Sequence, residues 1–293
     1  MNTETTALSL PFHRHAQNGK NAWWRFVLAV LLVITLWIGG TAAAIMVFPD
    51  LMDAMSGKLI GIPAEREAVI AFGLLHVGFG AGALGLFLAV KFLHSRSAKS
   101  AITGARRFRW GLFFAAGAVA IGVALCISPF TDQRGMEAIQ GRLSQFSAID
   151  WALLAVVYGT GVFIQGSWEE VLTRGWLLQQ VSLLAKNPWV GVAVSTLVFV
   201  AMHIGHPGWA TYLTAGLMGA AFGWSAIRLN GLEAAMGAHV ANNFVAGLLS
   251  GAFLAGNPPA LDLADLVGVA IYVAAFVGFV ELWARREGAR AGA

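Results

Sequence analysis

The sequence is short of charge and of cysteine, and each shortage excludes something. Asp, Glu, Lys and Arg make up 12% of the 293 residues against 58% hydrophobic. At a mean hydropathy of +0.70 there is too little polar surface to clothe a water-soluble globule. With Cys126 as the only cysteine, no intrachain disulfide and no thiolate metal cluster can form. That thiol falls in an apolar run and reads as inert packing. The pI is near 9.6, yet no basic patch with interleaved aromatics exists, which argues against a nucleic-acid partner. Residues up to Asn21 lack the compact basic start and the small-residue cleavage site of a secretory signal peptide. Ala42-Ala43-Ala44 follows an apolar stretch, but the run continues through Phe48, so the first span is expected to be retained. Internal repeats, low-complexity tracts and soluble linkers are also missing from the sequence.

What the sequence has is long apolar runs. A membrane-spanning helix needs about 20 apolar residues, and eight windows qualify: 23–48, 67–94, 108–130, 149–184, 188–205, 209–229, 231–254 and 263–284. The expected fold is an all-α polytopic transmembrane bundle of about eight spans with the lipid bilayer as its solvent. Lysine and arginine tend to stay on the cytoplasmic side. Alternate breaks hold fifteen of them (Arg14 to Arg25, Lys91 to Arg109, Arg174, Lys186, Arg228, Arg285, Arg286 and Arg290), while the other set holds only Lys58, Arg66, Arg134 and Arg142. The second set also carries Asp50, Asp53, Asp132, Asp262 and Asp265, so both termini are expected to be cytoplasmic. Glycine is abundant, at 35 residues, and the pairs Gly78/Gly82 and Gly219/Gly223 have the spacing that lets membrane helices approach closely.

Ionisable groups at membrane depth cost about 2.5–3.5 kcal/mol each on insertion scales and call for a partner or a role. Between Trp151 and Ile227 the only acids and bases are Glu169, Glu170, Arg174, Lys186, His203 and His206. Glu170 and Arg174 stand four apart with the acid first, the favourable order for an ion pair on one helical face. Glu169 lies about 100° around the helix and is left for chemistry. Glu169 and His203 are each seventeen residues from Lys186, so a hairpin turning near Lys186 to Pro188 brings them to similar depth. At about 1.5 Å per residue that depth is roughly 25 Å, too deep unless the hairpin projects from the membrane or the helices tilt. His239 and Asn243, again four apart, share one face of the seventh span. His239 would start shallower than Glu169 unless the Asn230-Gly231 turn is itself buried. His76, alone in the second span, reads as a ring hydrogen-bonded to a neighbouring helix. His206 and Asn242 sit beside the principal residues as further polar lining.

These residues resemble a known family. Glu169-Glu170-Val-Leu-Thr-Arg174-Gly175 matches an EExxxRG motif, Phe199-Val-Ala-Met-His203 an FxxxH motif, and His239-Val-Ala-Asn-Asn243 an HxxxN motif, in that order. Together they are similar to the CPBP family of intramembrane proteases, also called Abi or CAAX proteases. The likeness is concentrated between about Trp151 and Phe253, and no motif position departs from the pattern.

The resemblance implies that Glu169 and His203 activate a water that attacks a peptide carbonyl, with His239 and Asn243 stabilising the oxyanion. Glu170 and Arg174 would be the supporting ion pair and Phe199 a supporting residue. A divalent metal such as zinc, held by Glu169, His203 and His239, stays open beside a glutamate-type mechanism, since these are ligand types of catalytic zinc sites. The expected organisation is a cytoplasmic tail (1–22), three N-terminal spans (23–148), the catalytic helices (149–254), and a last span with a basic tail (255–293). The expected partner is a membrane-associated protein or peptide substrate, in a bacterial plasma membrane. Two other readings use the same buried polar groups: an ion- or proton-coupled transporter and a non-catalytic membrane scaffold.

Overall fold

The computed structural model describes residues 10–55, 59, 61–131, 133–206, 208–249, 251 and 263–291. Lys58, Asp132, Asp262, the end of the seventh window and the start of the 255–293 segment lie outside the described residues. Nine principal helices follow one another among them: α1 (Trp23–Val47), α2 (Ala64–Leu93), α3 (Trp110–Thr131), α4 (Gln133–Gln145), α5 (Ala148–Ala185), α6 (Pro188–Ala201), α7 (Trp209–Arg228), α8 (Glu233–Phe244) and α9 (Leu263–Ala291). Their outer surface is apolar: Trp23, Met46 and Phe114 are all exposed, as in a protein solvated by lipid. The protein is an all-α membrane bundle, and each of the eight apolar windows contains a helix among the described residues.

Five of these helices are long and apolar enough to cross a membrane: Trp23–Val47, Ala64–Leu93, Trp110–Ile127, Ala148–Ala185 and Asp265–Ala289. The other three windows give α6, only 14 residues long, α7, and α8 with 12 residues plus a π-type turn at Val245–Leu249. These three carry His203, His239 and Asn243 on or beside them. α8 is enclosed by the other helices, where a shorter and more polar segment is tolerated, whereas α6 and α7 each turn one face outward, with Leu197 and Trp209 exposed.

α5 begins at a capping box in which Ser147 and Asp150 satisfy each other's backbone N–H groups. It ends at Lys186 in the left-handed conformation (φ 53°), after which Asn187 caps α6 by accepting from the Trp189 N–H at 2.9 Å. With Pro188 at the first position of α6, the hairpin turns where the sequence places it.

Glycines set the helix spacing. A methyl at Gly82 would meet the Trp168 ring at 3.0 Å, one at Gly78 the Thr41 hydroxyl at 3.1 Å, and one at Gly223 would meet Val192 at 3.0 Å. Both spaced glycine pairs are therefore spent on packing inside this chain. The tightest approach is between α8 and α3, where a methyl on Gly237 would run into the Phe113 carbonyl. α8 lies at the centre of the bundle, with Gly231 to His239 all buried.

Cys126 does not pack as expected. It is exposed on the outward side of α3, because Ala116 and Ala120 supply that helix's inner contacts. His76 does behave as a helix-to-helix hydrogen bonder: its Nε2–H donates to the Thr160 hydroxyl on α5 at 2.9 Å, since that hydroxyl's own proton goes to the Val156 carbonyl.

The loop between α2 and α3 holds the N-terminal segment. Lys20 and His94 exchange two hydrogen bonds, the Lys20 N–H to the His94 carbonyl (2.8 Å) and His94 Nδ1 to the Lys20 carbonyl (3.0 Å). Burial, helped by the charges of Arg96 and Arg25, holds the His94 imidazole below its ordinary range, and its Nε2 is buried with no hydrogen-bond partner among the described residues. Burial also pushes the Arg96 guanidinium down to about 10.

Two outcomes follow from this packing. Gly237→Val should destabilise by about 1–3 kcal/mol or more through overpacking, read as a lower thermal midpoint in detergent; an unchanged midpoint would show that α8 and α3 are not in this contact. The unfolded chain protonates His94 near pH 6.5 while the folded chain resists, so this tether's contribution is present above that pH and lost as pH falls below it. The thermal midpoint should drop between pH 7.5 and pH 5.5, and His94→Gln should shrink the drop. An equal drop in the variant would assign the titration elsewhere.

Candidate active site

The motif residues converge where α5 crosses α8. Glu170 and Arg174, both fully buried, pair at 2.8 Å. The guanidinium lies 4.1 Å over the Phe199 ring of α6, and its Nη1 also donates to the Thr173 hydroxyl at 2.9 Å. Thr173 in turn donates to the Glu169 carbonyl at 2.5 Å. A methyl on Gly219 would sit 2.9 Å from Arg174 Nη2, so a glycine of α7 leaves the space this cation fills.

His239 stands between the two glutamates. Its Nδ1 is 2.8 Å from Glu170 Oε1 and its Nε2 is 3.5 Å from Glu169 Oε2. With a carboxylate opposite, Nδ1 must be the donor. Glu169 Oε1 accepts from Gln165 Nε2 at 2.5 Å, and Gln165 Oε1 accepts from Asn243 Nδ2 at 2.8 Å. One continuous chain of contacts therefore runs from Arg174 through Glu170, His239, Glu169 and Gln165 to Asn243.

His203 is placed differently. Its Nδ1–H donates to the Phe199 carbonyl at 2.8 Å, which leaves the lone pair on Nε2. It makes no hydrogen bond to the carboxylates. It meets the cluster through the Phe199 ring, whose centroid is 4.9 Å from the His203 ring and 5.7 Å from the His239 ring. The His206 ring lies tilted against that of His203 at 5.8 Å, and Asn242 donates to Asn243 Oδ1 at 3.1 Å.

The depth difficulty raised by the hairpin has a structural answer. The α2–α3 loop packs against α5 at Gly175, where a methyl would strike the Ala101 carbonyl. Ten residues of α5, about 15 Å, extend past that level to Ala185. Glu169 lies only six residues, about 9 Å, on the other side of it. At the same level Gly231 bridges to Thr103, and buried Glu233 accepts from Arg109 at 2.8 Å. The Asn230-Gly231 turn is thus an inner one, and His239 reaches the depth of Glu169.

Three members of the network were not singled out in the sequence: Gln165, Thr173 and Phe222, whose ring is 5.9 Å from both His239 and the Arg174 guanidinium. Gln165 carried a usable signal, a buried amide one helical turn before a buried acid in an apolar helix. Among the described residues no group of three or more His, Cys, Asp and Glu side chains has the spacing to hold a metal ion. His239 commits Nδ1 to Glu170 and His203 stands apart, so this donor arrangement does not fit a zinc site.

Fold and site together define a polytopic helical membrane protein with a buried carboxylate, imidazole and guanidinium network. Residues 150–245 match the family model for the type II CAAX prenyl endopeptidase Rce1-like family. That stretch runs from the start of α5 to the end of α8, so the resemblance carried by the three motifs holds over the helices that build the site. The matched family is described as one of type II CAAX prenyl endopeptidases. The chain is also 28% identical to a Bacillus subtilis (strain 168) protein described as "Uncharacterized protein YyaK", over 249 residues and 77% of each chain. No solved structure matches the chain.

Removing one partner of a buried pair costs about 3–5 kcal/mol. Arg174→Ala should therefore sharply reduce folded protein and its thermal midpoint, and the double variant Glu170→Gln/Arg174→Met should recover part of that loss. A double variant no more stable than the single one would mean that Arg174 acts through packing and not through its charge.

Proposed function

We propose that this protein is an intramembrane endopeptidase that hydrolyses a peptide bond of a membrane-associated protein or peptide, with Glu169 as the base. The observation that supports this most directly is the contrast between neighbouring glutamates: Glu170 is locked to Arg174 and His239, whereas Glu169 keeps Oε2 lightly engaged at 3.5 Å from His239. In the proposed reaction Glu169 takes a proton from water, with His203 Nε2 orienting that water, and the hydroxide adds to the substrate carbonyl carbon. The C–N bond then breaks, and the proton held by Glu169 passes to the leaving amine.

His239 and Asn243 are proposed as the oxyanion donors. Because His239 Nδ1–H already faces Glu170, donation from Nε2 requires the imidazolium. Two carboxylates against one guanidinium leave the cluster one positive charge short, and a proton on His239 supplies it. Asn243 keeps one amide N–H beyond the one given to Gln165. Donors aimed at a developing oxyanion are worth about 2.7–4 kcal/mol each.

The proposal includes eight spans with both termini on the cytoplasmic side of a bacterial plasma membrane, as the distribution of basic residues supports. It also keeps the division of the chain at 22/23, 148/149 and 254/255.

Glu169→Gln keeps the shape and removes the base, so cleavage should fall by at least about 100-fold without loss of the folded protein. Quantitative comparison of peptide termini in membranes carrying the wild-type or the variant chain reads this without a guess at the substrate. Termini that vanish in the variant name the target. Identical termini, with both proteins stably present, would falsify the protease reading and favour a scaffold or transporter.

A further inference from the structure

A second feature lies on the far side of α5 from the carboxylates. A cavity of about 320 Å³, within the usual range of small-ligand pockets, is walled by Ala83, Phe87, Val90, Ile164, Trp168 and Met236. Its walls are almost wholly apolar. Phe87 and Phe163, which both line it, are exposed on the outside of the bundle, so the cavity opens sideways. On α5 the lining positions 163, 164, 167 and 168 span an arc whose centre is roughly 170° from Glu169 at about 100° per residue. A substrate chain bound here would be separated from the carboxylates by the body of the helix.

The rim of this cavity carries charge of one sign. Lys91 is exposed one turn beyond Phe87, with its ammonium 5.4 Å from that ring. Ala98, Ala101 and Ile102 close the top of the cavity, and exposed Lys99 stands between them, bonded to the Arg106 carbonyl at 2.6 Å with two ammonium protons to spare. Arg106 and Arg107 follow, both exposed. No Asp or Glu occurs anywhere from Ala68 to Thr131, so nothing in that stretch neutralises the rim.

We propose that this cavity holds an acyl chain of an anionic phospholipid, with its phosphate group at Lys91 and Lys99. An apolar slot open to the lipid side suits a hydrocarbon chain, and a rim of lysines with no acid suits a negative headgroup. The inference does not depend on the proteolytic reading, because it concerns the opposite face of α5.

The test is native mass spectrometry of the full chain, titrated with phosphatidylglycerol and with phosphatidylcholine of the same acyl chains. One phosphatidylglycerol should be retained in preference. Lys91→Gln/Lys99→Gln, both exposed positions, should lower that preference roughly fivefold for each lysine and leave the thermal midpoint unchanged. Ala83→Phe, which fills the slot, should abolish retention of either lipid, and the lysine variant still decides the matter if Ala83→Phe does not fold. Equal retention of the two lipids, or a preference that survives the lysine changes, overturns the proposal. Displacement of the bound lipid by a lipidated peptide would overturn it in favour of a substrate site.

Discussion

The rest of the structure is arranged around a guanidinium that has no access to water. Arg174 is fully buried, with one carboxylate at 2.8 Å, a hydroxyl at 2.9 Å and the Phe199 face at 4.1 Å. Its Nε and Nη2 have no hydrogen-bond partner among the described residues, so ring faces and one carboxylate do most of the stabilising. Such a charge is tolerated only where every neighbour is fixed, since the desolvation cost of a buried ion is met by geometry alone. Four helices are held to that requirement: α5 supplies Glu170 and Thr173, α6 supplies Phe199, α7 supplies the gap at Gly219, and α8 supplies His239 against the same carboxylate. The tight α8–α3 contact at Gly237 sets the position of α8, and with it His239.

This requirement explains why the polar helices are short. α8, which brings His239 to Glu170, starts at a buried turn pinned by Thr103, Arg109 and Glu233. Glu233 is as buried as Glu170 and is likewise held by an arginine. A third buried acid, Glu67, pairs with Arg142 at 2.7 Å and accepts from the Tyr158 hydroxyl at 3.0 Å, joining α2 to α4 and α5. These three junctions each carry an acid whose charge is answered locally, which is how a chain with so little charge places what it has.

The positions of the helices were legible in the sequence because runs of about 20 apolar residues have few other uses. The turn at Lys186 to Pro188 was legible from its residues, and the Glu170–Arg174 contact from its spacing of four. What was not legible depended on non-local geometry. Gln165 is neutral, so a search for charge passes over it, although it links Glu169 to Asn243. The helical frame of 100° per residue fails after Glu170, where a π-type turn spans Val171–Leu177, and that shift governs which side of α5 meets the α2–α3 loop. The depth of Glu169 looked excessive because the turn at Lys186 was taken as the reference level, whereas the loop packs ten residues earlier, at Gly175. Cys126 looked like packing because an apolar residue in a membrane helix can face either a neighbour or lipid, and nothing local distinguishes them.

Two adjacent glutamates on one helix have come to differ through rotation alone. Glu170 points between α7 and α8, where a cation and an imidazole meet the same oxygen, so its charge is committed and its carboxylate is a fixed anion of the fold. Glu169, one residue earlier and about 100° around, points toward α8 further along that helix, where its partners are the neutral amide of Gln165 and the far nitrogen of His239. Glu169 thus keeps Oε2 out of any tight contact, whereas a guanidinium and an imidazole both hold Glu170 Oε1 at 2.8 Å. His239 joins the two, because the bond that fixes its Nδ1 to Glu170 also fixes where its Nε2 meets Glu169. The pair that holds the helices in place is therefore also what orients the residue beside it.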